Sequence, residues 1–217
     1  MKRRKRLGLT LLVVGLPVVA TSLIAALAQS ADEPKTKGAT EAKQELPKCP
    51  VRGEPINLAV SMATDDGPVF FCCSQCIQKF EAEPKKYAEK VVAQRKSLEK
   101  LPRVQLTCAI SGESVNTTVF VEEKGQKVYF CCKNCRGKYE KDRAKYAGKL
   151  ANSFTYQTKC PVTGKAIDPE VSAKAPAGET VYFCCKNCLD KFGKEPAKYA
   201  PKLEEQGLRL DLSKTKP

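Results

Sequence analysis

Hydrophobic and polar positions divide the chain into stretches of different rhythm. Residues 7–28, LGLTLLVVGLPVVATSLIAALA, form an apolar run of 22 without a charge. Residues 31–48, ADEPKTKGATEAKQELPK, are charged or small and offer nothing to bury. From residue 49 onward, short apolar runs alternate with helical spacings, and the cycle occurs three times. In the first cycle, strands are expected near Leu58–Ala63 and Val69–Cys72, joined by the turn Thr64-Asp65-Asp66-Gly67. The matching turns contain Gly125 and Ala177-Gly178. Ten residues such as KNCLDKFGKE from Lys186 then predict a short helix in which Cys188 and Phe192 share a face. Pro84 and Pro196 suit the first turn of a second helix, where Tyr87 and Val91, or Tyr199 and Leu203, pack at i and i+4. Asp142 is placed to cap the corresponding helix of the middle cycle, which lacks that proline.

The cycles are true repeats. CPVRGEPI at Cys49, CAISGESV at Cys108 and CPVTGKAI at Cys160 align, and bring PVFFCCSQC, KVYFCCKNC and TVYFCCKNC into register. The first cysteines lie 59 and then 52 residues apart, and all twelve cysteines fall at four repeated positions. Of the 15 aromatic residues, 12 occupy four more, so they read as core. The predicted fold class is small α+β. Three tandem modules, each a knuckle, a β-hairpin, a helix and a second short helix, span 49–95, 108–152 and 160–210, with a connection at 96–107. A body of about 50 residues buries too little surface to be comfortable alone. A structural zinc contributes an apparent ~10–16 kcal/mol, whereas a disulfide contributes ~2–4 kcal/mol.

Composition narrows the chemistry. The chain has twelve cysteines and no histidine, which excludes Ser-His-Asp and Cys-His catalytic apparatus and His₂Cys copper centres. The net charge of +14 hints at nucleic acid, but five of the 38 basic residues are Lys2, Arg3, Arg4, Lys5 and Arg6, ahead of the apolar run. The other 33 face 24 acids and are spread through the chain, so a solvated surface or an anionic membrane is favoured over nucleic acid. The basic start, the apolar run and the small residues Ala26, Ala28 and Ser30 mark residues 1–30 as an export segment, a signal peptide or a membrane anchor. Residues 31–48 then read as a flexible tether. Either reading places the repeats on the non-cytoplasmic side, periplasmic or membrane-anchored.

Each module offers four thiols: Cys49, Cys72, Cys73 and Cys76; Cys108, Cys131, Cys132 and Cys135; Cys160, Cys184, Cys185 and Cys188. Gly53, Gly112 and Gly164 can take positive φ in a tight turn that points the first thiolate and backbone amides inward. Zinc takes four such ligands in a tetrahedron, and all-thiolate sites also suit Cu⁺ and other soft ions. Adjacent cysteines at a strand end point to opposite sides unless the chain turns sharply. Two geometries therefore stand open. One uses the C-x₃-C pair (Cys72 and Cys76) and leaves Cys73 spare, and the other uses the C-x₂-C pair (Cys73 and Cys76) and leaves Cys72 out.

CPVTGKAI followed by VYFCCKNCLDKFGKEPAKY resembles the heavy-metal-associated modules called YHS and TRASH domains. Their pattern is one cysteine, a long gap, C-x₃-C after an aromatic pair, and a Lys-Phe and Pro-x-x-Tyr tail. The resemblance covers nearly all of residues 49–203. It implies a treble-clef-like zinc-finger fold, a role in metal sensing, trafficking or resistance, and ligands at Cys49, Cys72 and Cys76, at Cys108, Cys131 and Cys135, and at Cys160, Cys184 and Cys188. Cys73, Cys132 and Cys185, the missing histidine and the threefold arrangement depart from that pattern.

The expected function is that of an exported, non-enzymatic thiolate protein binding about one Zn²⁺, or Cu⁺ or another soft ion, per repeat. Two other classes stand beside it. C-x-x-C at a helix start is also the arrangement of thiol–disulfide oxidoreductases, with Cys73, Cys132 and Cys185 as attacking thiolates. Stapled modules, whether by metal or by the disulfides an exported chain permits, also suit an adaptor for another envelope protein.

Overall fold

The computed structural model describes residues 45–214. The predicted export segment and most of the predicted tether lie outside the described residues. Each repeat begins with a knuckle closed by two backbone bonds. Cys49 N–H donates to Glu54 (2.7 Å) and Gly53 N–H to Cys49 (2.8 Å), and the same pair recurs at Cys108 and Cys160. The turn needs φ of +75° at Gly53, +78° at Gly112 and +72° at Gly164, a region that side chains other than glycine rarely enter.

The hairpins follow as β1 (Asn57–Thr64) with β2 (Gly67–Phe71), β4 (Asn116–Glu123) with β5 (Gln126–Phe130), and β7 (Asp168–Lys174) with β8 (Thr180–Phe183), all antiparallel. The first strand of each hairpin is irregular after its opening residue. There the side chains of Asn57, Asn116 and Asp168 accept the amide two residues on, at 2.9–3.0 Å, an Asx turn that competes with the ladder. Short helices come next, α1 (Ser74–Ala82), α3 (Lys133–Lys141) and α5 (Lys186–Lys194). Pro84 opens a 3₁₀ turn that leads into α2 (Ala88–Leu98), and Pro196 opens α6 (Pro196–Glu204). Asp142 caps α4 (Arg143–Ala151) by accepting the Lys145 amide at 3.1 Å, as the sequence predicts. The result is a small α+β architecture with three cysteine clusters.

Each repeat has its own aromatic core beneath its cysteines. Phe71, Phe130 and Phe183 are fully buried, and their rings lie 5.5, 5.1 and 5.2 Å from those of Phe80, Tyr139 and Phe192. Phe80 then meets Tyr87 from the 3₁₀ turn that precedes α2, where the sequence predicts it inside the second helix, and Phe192 meets Tyr199 from α6.

The repeats also pack on one another, and the first is the hub. Helix α4 crosses β2 so closely that a Cβ at Gly148 would run into the backbone of Asp65. Asn152 donates to the Thr64 carbonyl at 2.8 Å, and Tyr156 meets Phe70 edge-on at 5.3 Å. The segment after α6 returns to the first hairpin. Leu58 N–H donates to Gly207 (2.9 Å), while the Asn57 amide exchanges bonds with Arg209 N–H and C=O at 2.8 and 2.7 Å. The connection at 96–107 carries structure of its own, because β3 (Val104–Gln105) pairs with β6 (Phe154–Thr155) across the second repeat. Among the described residues, no helix is long and apolar enough to cross a membrane.

Candidate metal centres

Three local devices aim sulfur at one point in each repeat. The knuckle buries Cys49, Cys108 and Cys160. The second strand delivers Cys72, Cys131 and Cys184 just past its end, and the following helix carries Cys76, Cys135 and Cys188 in its first turn. Between strand and helix the chain turns at Cys73, Cys132 and Cys185, extended residues in the N-cap position (φ −158°, −154° and −169°). That turn removes the objection that neighbouring cysteines must face opposite ways.

The sulfurs of Cys49, Cys72 and Cys76 all lie within 4.8 Å of one another, as do those of Cys108, Cys131 and Cys135 and those of Cys160, Cys184 and Cys188. The C-x₃-C geometry therefore forms the tight triplet. The remaining cysteine is not remote, however. Cys73 Sγ is 3.9 Å from Cys72 and 3.6 Å from Cys76, and Cys185 stands at 3.9 and 3.6 Å from Cys184 and Cys188. Cys132 lies 3.8 Å from Cys131. Sulfurs arranged tetrahedrally around zinc at about 2.3 Å are separated by about 3.8 Å. The C-x₃-C separations of 3.5, 3.6 and 3.6 Å and those to the fourth sulfur fall close to this edge. All twelve cysteines are free thiols.

The electrostatics are divided within each cluster. Burial alone would raise the knuckle thiols, but backbone N–H groups converge on them and prevail. Those of Arg52, Cys72 and Val51 lower the pKa of Cys49. Those of Cys131, Ser111 and Ile110 bring Cys108 to about 7, and those of Cys184, Thr163 and Val162 bring Cys160 to about 7. The helix cysteines behave oppositely. Burial and then the neighbouring thiols push Cys135 and Cys188 up to about 12 and raise Cys76 too, and burial takes Cys72 up to about 11. Each cluster thus holds the knuckle thiolate readily, lowers the N-cap thiol (Cys73, Cys132 or Cys185) as well, and resists a negative charge on the helix cysteine. A bound cation removes that resistance, since metal binding and thiol deprotonation are linked.

Two sets of supporting residues escaped the sequence reading. One is a buried glutamine in each repeat that satisfies the outer edge of the strand leading to the cysteines. Gln105 accepts Tyr129 N–H (2.9 Å) and donates to its carbonyl (2.8 Å), and Gln157 does the same for Tyr182 (2.9 and 2.7 Å). Gln94 serves Phe70 at 3.0 and 2.8 Å. The spacing Gln-x-x-Cys in VQLTC and YQTKC was the available signal. It fails in the first repeat, where α2 supplies the glutamine from the other end of the module. The second set is the third residue after each knuckle cysteine, Arg52, Ser111 or Thr163. The hydroxyls of Ser111 and Thr163 lie 3.3 and 3.2 Å from Cys131 and Cys184.

The arrangement is a metal- or redox-active thiolate site, present three times. No family model, curated protein or solved structure matches the chain.

Proposed function

We propose that the protein is an exported thiolate metal-binding protein. It holds one soft ion in each of three treble-clef-like modules of YHS/TRASH type, with all twelve cysteines as ligands. The observation that carries this reading is the convergence of three sulfurs within 4.8 Å in every repeat, with a fourth sulfur beside the C-x₃-C pair and outside that triplet. The donor set fits Zn²⁺ as the structural occupant and equally accepts Cu⁺ or another thiophilic ion as cargo. Knuckle N–H groups preorganise the first thiolate, and the exposed Cys132 and Cys185 supply thiolates from which an ion can be passed to an acceptor. Sequestration and hand-over outside the cytoplasm is the resulting role.

One feature favours thiol–disulfide exchange as a second reading. Cys132 and Cys185 sit at helix N-caps, and the backbone N–H groups of Cys135 and Cys188 lower their pKa. Metal analysis and native mass spectrometry of the full chain, purified from its own compartment, decide between the two. Three ions and twelve alkylation-protected cysteines are expected. Zero ions with one or two intramolecular bridges per repeat would refute the metal reading.

A further inference from the structure

The three clusters share one plan but differ where solvent meets the fourth sulfur. Beside the second and third clusters, the Ser111 and Thr163 hydroxyls contact the first cysteine of the C-x₃-C pair, and Cys132 and Cys185 are exposed. In the first cluster that position is Arg52. Its guanidinium pairs with Glu54 at 3.5 Å and lies near enough to Cys73 for each to shift the other's pKa, while Cys73 is half-buried. The first module is also the hub. Helix α4 and Tyr156 pack on β2, and Gly207 and Arg209 bind the start of β1.

Resting on the metal reading above, we propose that the sites divide the work. The first is a permanent four-thiolate zinc site that holds the assembly together, and the second and third are exchange sites at which Cys132 and Cys185 admit and release soft ions. Zinc bound by four thiolates carries a net charge of −2, and a cation beside the fourth sulfur offsets part of it and anchors that ligand. The second and third clusters have a hydroxyl in place of the guanidinium. Their fourth thiolate faces water, so an incoming thiolate or chelator can displace it and take the ion. Unloading the first site would dismantle the core against which both other modules pack, whereas unloading either of the others disturbs mainly its own module.

The test uses the zinc-loaded full chain mixed with excess 4-(2-pyridylazo)resorcinol, with parallel N-ethylmaleimide labelling mapped by mass spectrometry. Two ions are expected to leave quickly, with Cys132 and Cys185 labelled in step, and one slowly, with Cys73 labelled in step. Arg52 is half-exposed and contributes little to the core. Arg52→Ser is therefore expected to speed the slow ion roughly 10–100-fold, the usual cost of removing a group that supports a metal ligand, and Arg52→Lys to restore most of the difference. Ser111→Arg is expected to slow one of the two fast ions. Three ions leaving in a single phase, or a slow ion that maps to the second or third site, would overturn the division of work and leave the metal reading intact. Failure to bind any stoichiometric ion would remove both.

Discussion

Gln94 is the most direct test of how the fold holds the cysteines in place. It is 3% exposed, and its amide acts as a strand neighbour to Phe70, itself 5% exposed. It accepts Phe70 N–H at 3.0 Å and donates to the carbonyls of Phe70 and Lys48 at 2.8 and 3.0 Å. Gln94→Met keeps the length and flexibility of the side chain and removes these bonds. Lys48 is exposed and its carbonyl is left out of the sum, whereas the two groups of Phe70 are buried. Each buried group left unpaired costs about 1–3 kcal/mol, about 4 kcal/mol for the two. The greater apolarity of methionine returns part of this, leaving about 3 kcal/mol. In a protein of this size that lowers the melting temperature by about 6–12 °C. The assay is urea and thermal unfolding followed by circular dichroism at a fixed free zinc concentration, because bound ion itself shifts the transition. Gln78→Met, on the exposed face of α1, is the control and should stay within about 0.5 kcal/mol of the parent. If Gln94→Met also stays within that range, the reasoning that a side-chain amide substitutes for a missing strand is wrong.

Three further outcomes follow from the geometry. Cys135→Ser removes a buried member of the second sulfur triplet and should lower the ion count from three to two, whereas Cys132→Ser should leave three; native mass spectrometry distinguishes them. Gly148→Ala places a methyl group against the backbone of Asp65 and should destabilise the contact between the first two repeats by about 1–3 kcal/mol, with no change in ion count. Amide exchange should then accelerate in α4 and at the Thr64–Gly67 turn and nowhere in the third repeat. Asp142→Ala removes the α4 cap and should cost about 0.5–2 kcal/mol, read from the same unfolding curves.

Much of the molecule was legible in the sequence because it is built from local rules. Alternation over a few residues marks the hairpins, a cysteine and an aromatic four apart mark α1, α3 and α5, and proline or aspartate marks where the second helix starts. Repetition reinforced these signals. The gathering of thiols into three clusters was legible for the same reason, since the knuckle, the strand end and the helix start are all set by nearby residues. The ligand geometry was not. Period-two reasoning treats Cys72 and Cys73 as facing opposite sides, and only the abrupt passage from strand to helix brings both sulfurs to one cluster.

Tertiary structure alone decided the rest. A glutamine looks like a surface residue until the strand edge it satisfies is known, and Gln94 lies 24 residues from Phe70. A hub cannot be read from repeats that look alike. It arises because Gly148 lets α4 approach a turn 83 residues earlier, and because the chain after α6 comes back to bind Asn57 across 152 residues. Contacts between distant segments depend on how completed modules fit together, and no local periodicity encodes that fit.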